Sequence, residues 1–257
     1  MRHALATDPR GFQVAVARGK VVCYAITILR GRTHFLAQFF ALPGKQSRGI
    51  GRQVLTRAFE DPHPPRDAVR CLVASLDLRA QSLYLKFGMQ PRTVMYYVVG
   101  PPPSRTQPER LELRPVGPPG RLARRAREIA ARFDRPLRGT RRDADLRFFL
   151  TAVKGSRFYE ACAEGRTVGY VIVRGNGAIG PGGVRDPSLS GPLFSAALAE
   201  AARSGFKTVF AWLPGLNAGA VRAALESGLK VDFLTVWMAS RDLGDLACYV
   251  PSGGVLF

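Results

Sequence analysis

The sequence predicts a mixed α/β fold made of two tandem units, each a twisted mixed β-sheet flanked by helices. Two observations predict this fold. A segment with a hairpin pattern occurs twice along the 257 residues, and strand and helix patterns alternate after its first occurrence. Alternating strands and helices imply crossover connections, and therefore a sheet that is partly parallel. With 46% hydrophobic and 22% charged residues, the chain has the composition of a globular protein and the length for two cores.

The repeat has two matched parts. Residues 12–25 and 158–171 each show an apolar run, a turn centred on a glycine and a second apolar run, at an offset of 146 residues. This pattern is typical of a β-hairpin. A second match, at an offset of 140 residues, relates four positions in the first copy to four in the second: Asp77, Ala80, Tyr84 and Gly88 to Asn217, Ala220, Ala224 and Gly228.

Each element of the first copy has its own signal. Runs of β-branched and aromatic residues predict strands, and apolar residues on one helical face predict helices. Asp77 is suited to begin a helix as its N-cap, and Gly88 to end it in a left-handed conformation. The predicted elements are a hairpin (12–29), a strand (34–42), a turn (43–49), a helix (50–60), a strand (70–76), a helix (78–87) and a strand (93–99).

The second copy contains a segment that the first copy lacks. A strand at 111–115 and an arginine-rich helical region up to about Leu150 precede its hairpin. Three consecutive prolines, at 101–103, form a stiff spacer because proline fixes φ and cannot continue a ladder or a helix. The predicted domains are therefore 1–100, a linker at 101–109, and 110–257.

Charge is the strongest compositional bias. The 38 basic and 19 acidic residues give a net charge of +19, which is typical of nucleic-acid-binding proteins. However, 32 of the basic residues are arginine and the excess is shared by both halves, as a GC-rich genome would produce. Ten arginines lie between Arg121 and Arg147, where a solvated helical face is the favoured interpretation and an anion-binding surface the alternative. Nucleic acid is thus possible as a partner but not favoured.

Several classes of protein are not supported. The longest nearly apolar run, Val21 to Leu29, is far below the roughly 20 residues of a membrane-spanning helix. The N-terminus shows no secretory signal, so a cytoplasmic protein without membrane attachment is expected. Cys23, Cys71, Cys162 and Cys248 are far apart, which suits reduced thiols better than a disulfide frame. The three histidines lack metal-ligand spacing, so no metal site is predicted.

Two local features of the first copy point to chemistry. The string Gln46-Ser47-Arg48-Gly49-Ile50-Gly51 joins a strand to a helix, where glycines and free amide groups could receive a phosphate. A tight connection without a ligand is the alternative. Tyr84 is either a core residue or, if its hydroxyl enters a cleft, a proton donor to a leaving group.

These features, in this order, resemble the GNAT superfamily of acyl-CoA-dependent N-acyltransferases. The family pattern Gln/Arg-x-x-Gly-x-Gly/Ala is met by Gln46, Gly49 and Gly51. A second pattern, Asn/Asp-x-x-Ala-x-x-x-Tyr-x-x-x-Gly, is met by Asp77, Ala80, Tyr84 and Gly88. The first copy departs from the family in lacking its first strand and two helices. Asp77 also stands where the family usually has asparagine.

The resemblance implies roles for individual residues. Backbone groups of Phe39, Phe40 and Ala41 would pair with the pantetheine arm of acetyl-CoA, while Asp77 and Ala80 complete the co-substrate site. Tyr84 would protonate the departing thiolate after direct attack of a primary amine. The diphosphate would lie in the turn and first helical residues, Gln46, Ser47, Arg48, Gly49, Ile50, Gly51 and Arg52.

The second copy keeps the scaffold but loses the site. Its Gly180–Pro187 segment, expected to join strand to helix, lacks the glycine pattern, and Ala224 replaces the tyrosine. The leading hypothesis is an N-acetyltransferase with its active site in the first copy, acting on a small-molecule or peptide amine as a monomer with pseudo-dimeric units. The alternative is a non-catalytic module that senses acyl-CoA or binds nucleic acid or another partner.

Overall fold

The computed structural model describes residues 2–44, 49–103 and 111–256. It divides into two compact units. Unit 1 contains the chain up to Arg92 together with Trp237–Asp242 and Gly254–Leu256, and unit 2 contains Thr93–Val236 and Leu243–Gly253. Residues 104–109 of the predicted linker, together with residue 110, lie outside the described residues.

Unit 1 has a mixed sheet with helices on it. Its elements are α1 (Arg2–Thr7), β1 (Phe12–Ala17), β2 (Lys20–Arg30), β3 (Thr33–Ala41), α2 (Ile50–Glu60), β4 (Val69–Ala74), α3 (Leu78–Lys86) and the first residues of β5 (Gln90–Gly100). Strands β1, β2 and β3 pair antiparallel, and β4 pairs with β3 in parallel. The predicted mixed α/β fold is confirmed.

Unit 2 repeats this order with additions at both ends. Its elements after β5 are β6 (Glu112–Pro115), α4 (Arg124–Arg138), α5 (Asp143–Thr151), β7 (Arg157–Ala163), β8 (Arg166–Val173), β9 (Ile179–Val184), α6 (Ser190–Arg203), β10 (Val209–Pro214), α7 (Ala218–Glu226), β11 (Lys230–Ala239, whose last residues belong to unit 1) and β12 (Tyr249–Val250). Five strands form an antiparallel sheet in the order β12-β9-β8-β7-β6, and β10 pairs antiparallel with β5.

One expectation about unit 2 is wrong. Residues 180–183, expected as part of a strand-to-helix connection, form most of strand β9. The glycines are needed there because neighbouring backbone comes close on both sides. A Cβ atom on Gly182 would lie 2.5 Å from the Tyr170 carbonyl oxygen, and one on Gly183 would lie 2.4 Å from that of Cys248. The glycines in this strand are therefore required by the close packing of neighbouring backbone, and they do not mark a turn.

No helix among the described residues is long and apolar enough to cross a bilayer. All four cysteines are buried and in the reduced form.

His34 is a buried titratable residue in unit 1, and it makes the stability of the protein depend on pH. It lies on β3, is fully buried, and its ring meets the Phe59 ring edge-on at a centroid distance of 5.1 Å. Neither ring nitrogen has a hydrogen-bond partner within the described part of the chain. Burial, helped by the charge of Arg70 and opposed by that of Asp8, lowers the pKa of His34 to about 4. The neutral imidazole is therefore the folded-state form at pH 7.

This burial predicts loss of stability in acid. Between pH 6.5 and 4 the unfolded chain binds a proton at His34 that the folded chain excludes, so the free energy of unfolding falls as pH falls. The loss should reach roughly 3 kcal/mol below pH 4. In urea titrations across this range, His34→Leu should show a flatter pH dependence than the wild type. The exposed His63, changed to Gln, is the control, and equal slopes in all three proteins would contradict the assignment.

Candidate functional site

A cavity of about 500 Å³ lies in unit 1 beside the end of β3. Its walls are the last residues of β3, the first turn of α2, the connection from β4 to α3, and one face of α3. Fourteen of the described residues line it: Phe39, Phe40, Ala41, Gly49, Gly51, Arg52, Ser75, Asp77, Arg79, Ala80, Ser82, Leu83, Tyr84 and Lys86.

Strands β3 and β4 separate at this cavity. Their parallel pairing runs from Thr33 opposite Val69 to Leu36 opposite Leu72, and β3 then continues to Ala41. On its other side β3 remains paired with β2 over this stretch. From residue 37 onward, the edge of β3 that faces the cavity is thus outside the β3–β4 ladder. Such an edge can accept an extended ligand as an added strand.

The first turn of α2 supplies amide groups. Gly49 precedes this helix in the left-handed conformation, with φ of 78°. Among the described residues, no side chain caps α2 and no acidic residue lies in its first turn. The first amides of a helix have no intrahelical acceptor and carry a partial positive charge. An anion can therefore bind at this end of the cavity.

Helix α3 begins differently. The Asp77 carboxylate accepts hydrogen bonds from the backbone N–H groups of Arg79, at 2.9 Å, and Ala80, at 3.4 Å. The bond from the Arg79 amide is the main reason why the pKa of Asp77 is lowered. Asp77 is therefore the N-cap of α3, as the sequence predicts. Its negative charge is stabilised by the amide groups at this helix N-terminus.

Glycine at position 51 allows two elements to meet. A Cβ atom there would lie 3.0 Å from Cζ of Phe39, closer than most carbon contacts. Phe39 in turn packs edge-on against Tyr84, with ring centroids 6.3 Å apart. The sequence thus places α2, the end of β3 and the tyrosine of α3 in one continuous contact.

Tyr84 is the only tyrosine among the described lining residues. The side chain is 7% exposed, and burial raises the pKa of its hydroxyl to about 12, with a smaller contribution from the negative charge of Asp77. Within the described residues the structure shows no hydrogen bond from this hydroxyl. Tyr84 therefore keeps its proton at physiological pH and can donate it to a group inside the cavity.

The charge of the cavity is positive. Among its described lining residues, Arg52, Arg79 and Lys86 stand against one carboxylate, Asp77. The pair between Arg79 and Asp77 is 3.5 Å long and well exposed, so it contributes little to stability. These cations suit an anionic ligand.

The structure brings together nine of the thirteen residues predicted for the site. They are Phe39, Phe40, Ala41, Gly49, Gly51, Arg52, Asp77, Ala80 and Tyr84. Ile50 is half-buried in α2 and does not line the cavity, and the predicted Gln46, Ser47 and Arg48 lie outside the described residues. Sequence reasoning missed five lining residues: Ser75, Arg79, Ser82, Leu83 and Lys86. The spacing of the last four along α3 is that of one helical face and could have revealed them.

The arginine cluster of unit 2 is only partly a solvated face. Arg138 and Arg142 are each 1% exposed, which corrects the expectation for these two residues. Arg142 is buried because its guanidinium pairs with the buried Asp134 at 3.2 Å. Three further arginines form ion pairs: Arg124 with Glu128, Arg125 with the buried Glu160, and Arg141 with Asp143. The cluster thus offers less free charge than its sequence suggests.

In the described part of the chain, no group of three or more His, Cys, Asp or Glu side chains could hold a metal ion.

Comparison with known proteins identifies the fold. No family model and no curated protein matches the sequence. Among solved structures, a putative acetyltransferase from Pyrococcus horikoshii matches with a TM-score of 0.75 and 18% identity, over 100% of this chain and 83% of that chain. A GCN5-related N-acetyltransferase from Sphaerobacter thermophilus matches with a TM-score of 0.61 and 18% identity, over 91% of this chain and 82% of that one.

A third similar structure has a tandem arrangement. It is a tandem GNAT protein from the clavulanic acid biosynthesis pathway, with a TM-score of 0.55 and 18% identity, covering 93% of this chain and 87% of that chain. At 18% identity, these similarities show the fold. The chain has the fold of the GCN5-related N-acetyltransferases, as the sequence motifs predict.

Proposed function

We propose that unit 1 binds acetyl-CoA and transfers its acetyl group to a primary amine. One observation carries the proposal: a single cavity joins the part of the β3 edge that lies outside the β3–β4 ladder, an uncapped helix N-terminus and a buried, protonated tyrosine. These three features match the three parts of acetyl-CoA that need recognition, namely the amide-rich pantetheine arm, the diphosphate and the sulfur. The fold shared with N-acetyltransferases supports the same conclusion.

Each part of acetyl-CoA has a place in this proposal. The pantetheine arm lies along residues 39–41 of β3, and its amides add a strand to the edge that lies outside the β3–β4 ladder. The diphosphate lies at the turn before α2 and on the first amides of that helix, with Arg52 nearby. Arg79 and Lys86 contribute further positive charge on the face of α3.

The transfer proceeds by direct attack. The nitrogen lone pair of the amine forms a bond to the thioester carbonyl carbon, and the carbon–sulfur bond of the resulting tetrahedral species breaks. Sulfur leaves with the electron pair of that bond, and the nitrogen loses a proton. The products are the N-acetyl amine and the free thiol.

Tyr84 stabilises the charge that develops on sulfur. Because its pKa is about 12 and that of a free thiol about 8.5, complete proton transfer to sulfur would cost about 5 kcal/mol if tyrosinate remained. The hydroxyl therefore acts as a strong hydrogen-bond donor in the transition state. Sulfur finally keeps a proton from Tyr84. The positively charged nitrogen of the tetrahedral species gives Tyr84 a proton in return.

The amine reaches the site without its proton. Asp77 is the sole carboxylate among the described lining residues, and it caps α3, so it is not placed to act as a base. Scarcity of carboxylates also disfavours polycationic acceptors, because ammonium groups are normally held by Asp or Glu.

This arrangement predicts the pH dependence of the reaction. Alkyl amines have pKa values near 10, so the neutral fraction grows about tenfold per pH unit between 7 and 9. Tyr84 stays protonated throughout this range because its raised pKa is about 12. We expect kcat/KM to rise with a log slope of about 1 from pH 7 to 9, without a falling limb below pH 10. A falling limb near pH 8 to 9 would contradict the assigned tyrosine.

The proposal is tested by adding acetyl-CoA to the full chain in a thermal-shift assay, followed by an amine panel with detection of free CoA thiol. A ligand that binds only the folded state must raise the melting temperature. A shift with amine-dependent thiol release supports the transferase. A shift without turnover on any amine indicates an acyl-CoA sensor, and no shift at saturating acetyl-CoA contradicts the site itself.

A further inference from the structure

The C-terminal part of unit 2 forms a strand at the edge of the five-stranded sheet. Strand β12 pairs antiparallel with β9, with Tyr249 opposite Gly183 and Val250 opposite Gly182. The Val184 amide also donates a hydrogen bond to the Cys248 carbonyl oxygen at 3.1 Å. Tyr249 and Val250 are fully buried.

The repeat shows which position this strand occupies. Tyr24 of unit 1 and Tyr170 of unit 2 are separated by the repeat offset of 146 residues. Tyr24 pairs with Phe40 on β3, and Tyr170 pairs with Gly183 on β9. Residues 182–184 of unit 2 are thus the sheet equivalents of residues 39–41 in unit 1, where the pantetheine arm is proposed to bind.

The opening beyond this edge exists in both units. In unit 2, β9 and β10 meet through a parallel bridge between Ala178, just before β9, and Phe210, just as β3 and β4 pair in parallel in unit 1. Strand β12 contacts both β9 and β10. The C-terminal segment therefore fills the gap that in unit 1 is the open cavity beside β3.

The side chain of Asn217, the N-cap residue of α7, holds the segment. Asn217 is the repeat equivalent of Asp77 and is fully buried. Its Nδ2 donates to the Tyr249 carbonyl oxygen at 3.1 Å, while its Oδ1 accepts from the Ala220 amide at 3.1 Å and the Ser190 hydroxyl at 2.8 Å. Asn217 thus caps a helix and binds the backbone of the inserted strand at the same time.

The Tyr249 side chain enters a buried polar pocket. Its hydroxyl accepts a hydrogen bond from Arg142, whose Nε lies 3.2 Å from Oδ2 of Asp134. The Tyr170 hydroxyl donates to the other Asp134 oxygen at 2.5 Å. Removing Tyr249 would leave a buried guanidinium with one partner fewer, which is costly at such a position.

Glycines shape the groove for this backbone. A Cβ atom on Gly183 would lie 2.4 Å from the Cys248 carbonyl oxygen, and one on Gly180 would lie 2.4 Å from that of Pro251. No side chain larger than hydrogen fits at either position while the segment is in place. The groove and the segment are therefore complementary in shape as well as in hydrogen bonding.

We propose that residues 248–251 are a built-in ligand of unit 2, which fills the cleft equivalent to the acetyl-CoA cleft of unit 1. The chain consequently binds one acetyl-CoA, in unit 1 alone. The interpretation of the cleft rests on the proposed function of unit 1. Unit 2 is then a closed scaffold, in keeping with Ala224 at the position equivalent to the catalytic tyrosine.

The test combines calorimetric titration of the full chain with acetyl-CoA and hydrogen exchange at residues 248–250. We expect one acetyl-CoA per chain and slow exchange at 248–250 that acetyl-CoA does not change. Two sites per chain, or faster exchange at 248–250 when acetyl-CoA is added, would overturn the proposal. Rapid exchange without acetyl-CoA would overturn it as well. Zero sites with slow exchange would overturn the proposed function of unit 1 but leave a filled cleft in unit 2.

A matched variant tests the hydrogen bond by which Asn217 holds the strand. Asn217→Asp keeps the oxygen that caps α7 but replaces the donor to the Tyr249 carbonyl by a second oxygen. Exchange at 248–250 should rise about tenfold or more, since the buried Tyr249 carbonyl oxygen loses its hydrogen-bond donor. Binding of acetyl-CoA to unit 1 should be unchanged. Asn176→Asp, in the turn before β9, is the control, and equal exchange at 248–250 in both variants would contradict the role of Asn217.

Discussion

Replacing Tyr84 by phenylalanine should lower kcat about 100-fold or more while leaving the Kd for acetyl-CoA within about twofold of the wild type. The reason is that the lost hydrogen bond forms mainly to the sulfur of the transition state, and general acids of this kind contribute on the order of 10² to 10⁴. The phenyl ring keeps the edge-on contact with Phe39 and the burial of the side chain. Steady-state kinetics and calorimetry on the same preparation separate the two effects.

The same substitution at a tyrosine outside the cavity is the control for a general effect of losing a hydroxyl group. Tyr96 is a half-buried tyrosine of unit 2, and Tyr96→Phe should leave kcat unaltered. If Tyr84→Phe also retained the wild-type kcat, Tyr84 would have no part in the chemistry. If it weakened acetyl-CoA binding and left kcat intact, the residue would be a binding group and the assigned mechanism would be wrong.

The second large effect is expected at the turn before α2. Gly49→Asp should weaken acetyl-CoA binding at least about 100-fold, because a carboxylate beside the diphosphate introduces like-charge repulsion of several kcal/mol. Gly49 has φ of 78°, so any side chain there also adds backbone strain. Calorimetric titration with acetyl-CoA measures the combined loss.

Two variants separate charge from strain. Gly49→Asn has almost the same shape without the charge, and asparagine tolerates left-handed backbone, so it should bind acetyl-CoA much more tightly than Gly49→Asp. Gly19→Asp places the same charge and strain at an open hairpin turn with φ of 73°, and it should bind as the wild type does. Undiminished affinity in Gly49→Asp would show that the diphosphate lies elsewhere.

Local signals in the sequence account for much of unit 1. Helix α2 spans Ile50–Glu60, as its apolar face predicts, and α3 begins after Asp77 because that carboxylate satisfies two amides of the first turn. Both features depend on neighbours within a few residues, so periodicity and capping reveal them. The cavity follows because the turn and Tyr84 are carried by these two helices.

What the sequence did not predict depends on contacts between distant residues. Strand β12 has two residues and no periodicity, and it forms only because β9 and Asn217 provide partners. The burial of Arg138 and Arg142 likewise cannot be inferred from an arginine-rich helical pattern. Arg142 is hydrogen-bonded to Asp134, eight residues away, and to Tyr249, 107 residues away. Such pairs leave no local pattern.

A crystal structure of the full chain with acetyl-CoA, or with a thioether analogue that cannot react, tests the central claim most directly. It should show the pantetheine arm beside residues 39–41, the diphosphate against the amides of residues 49–52, and the sulfur within hydrogen-bonding distance of the Tyr84 hydroxyl. An empty cavity in unit 1, with acetyl-CoA bound at another place or absent at saturating concentration, would contradict the claim.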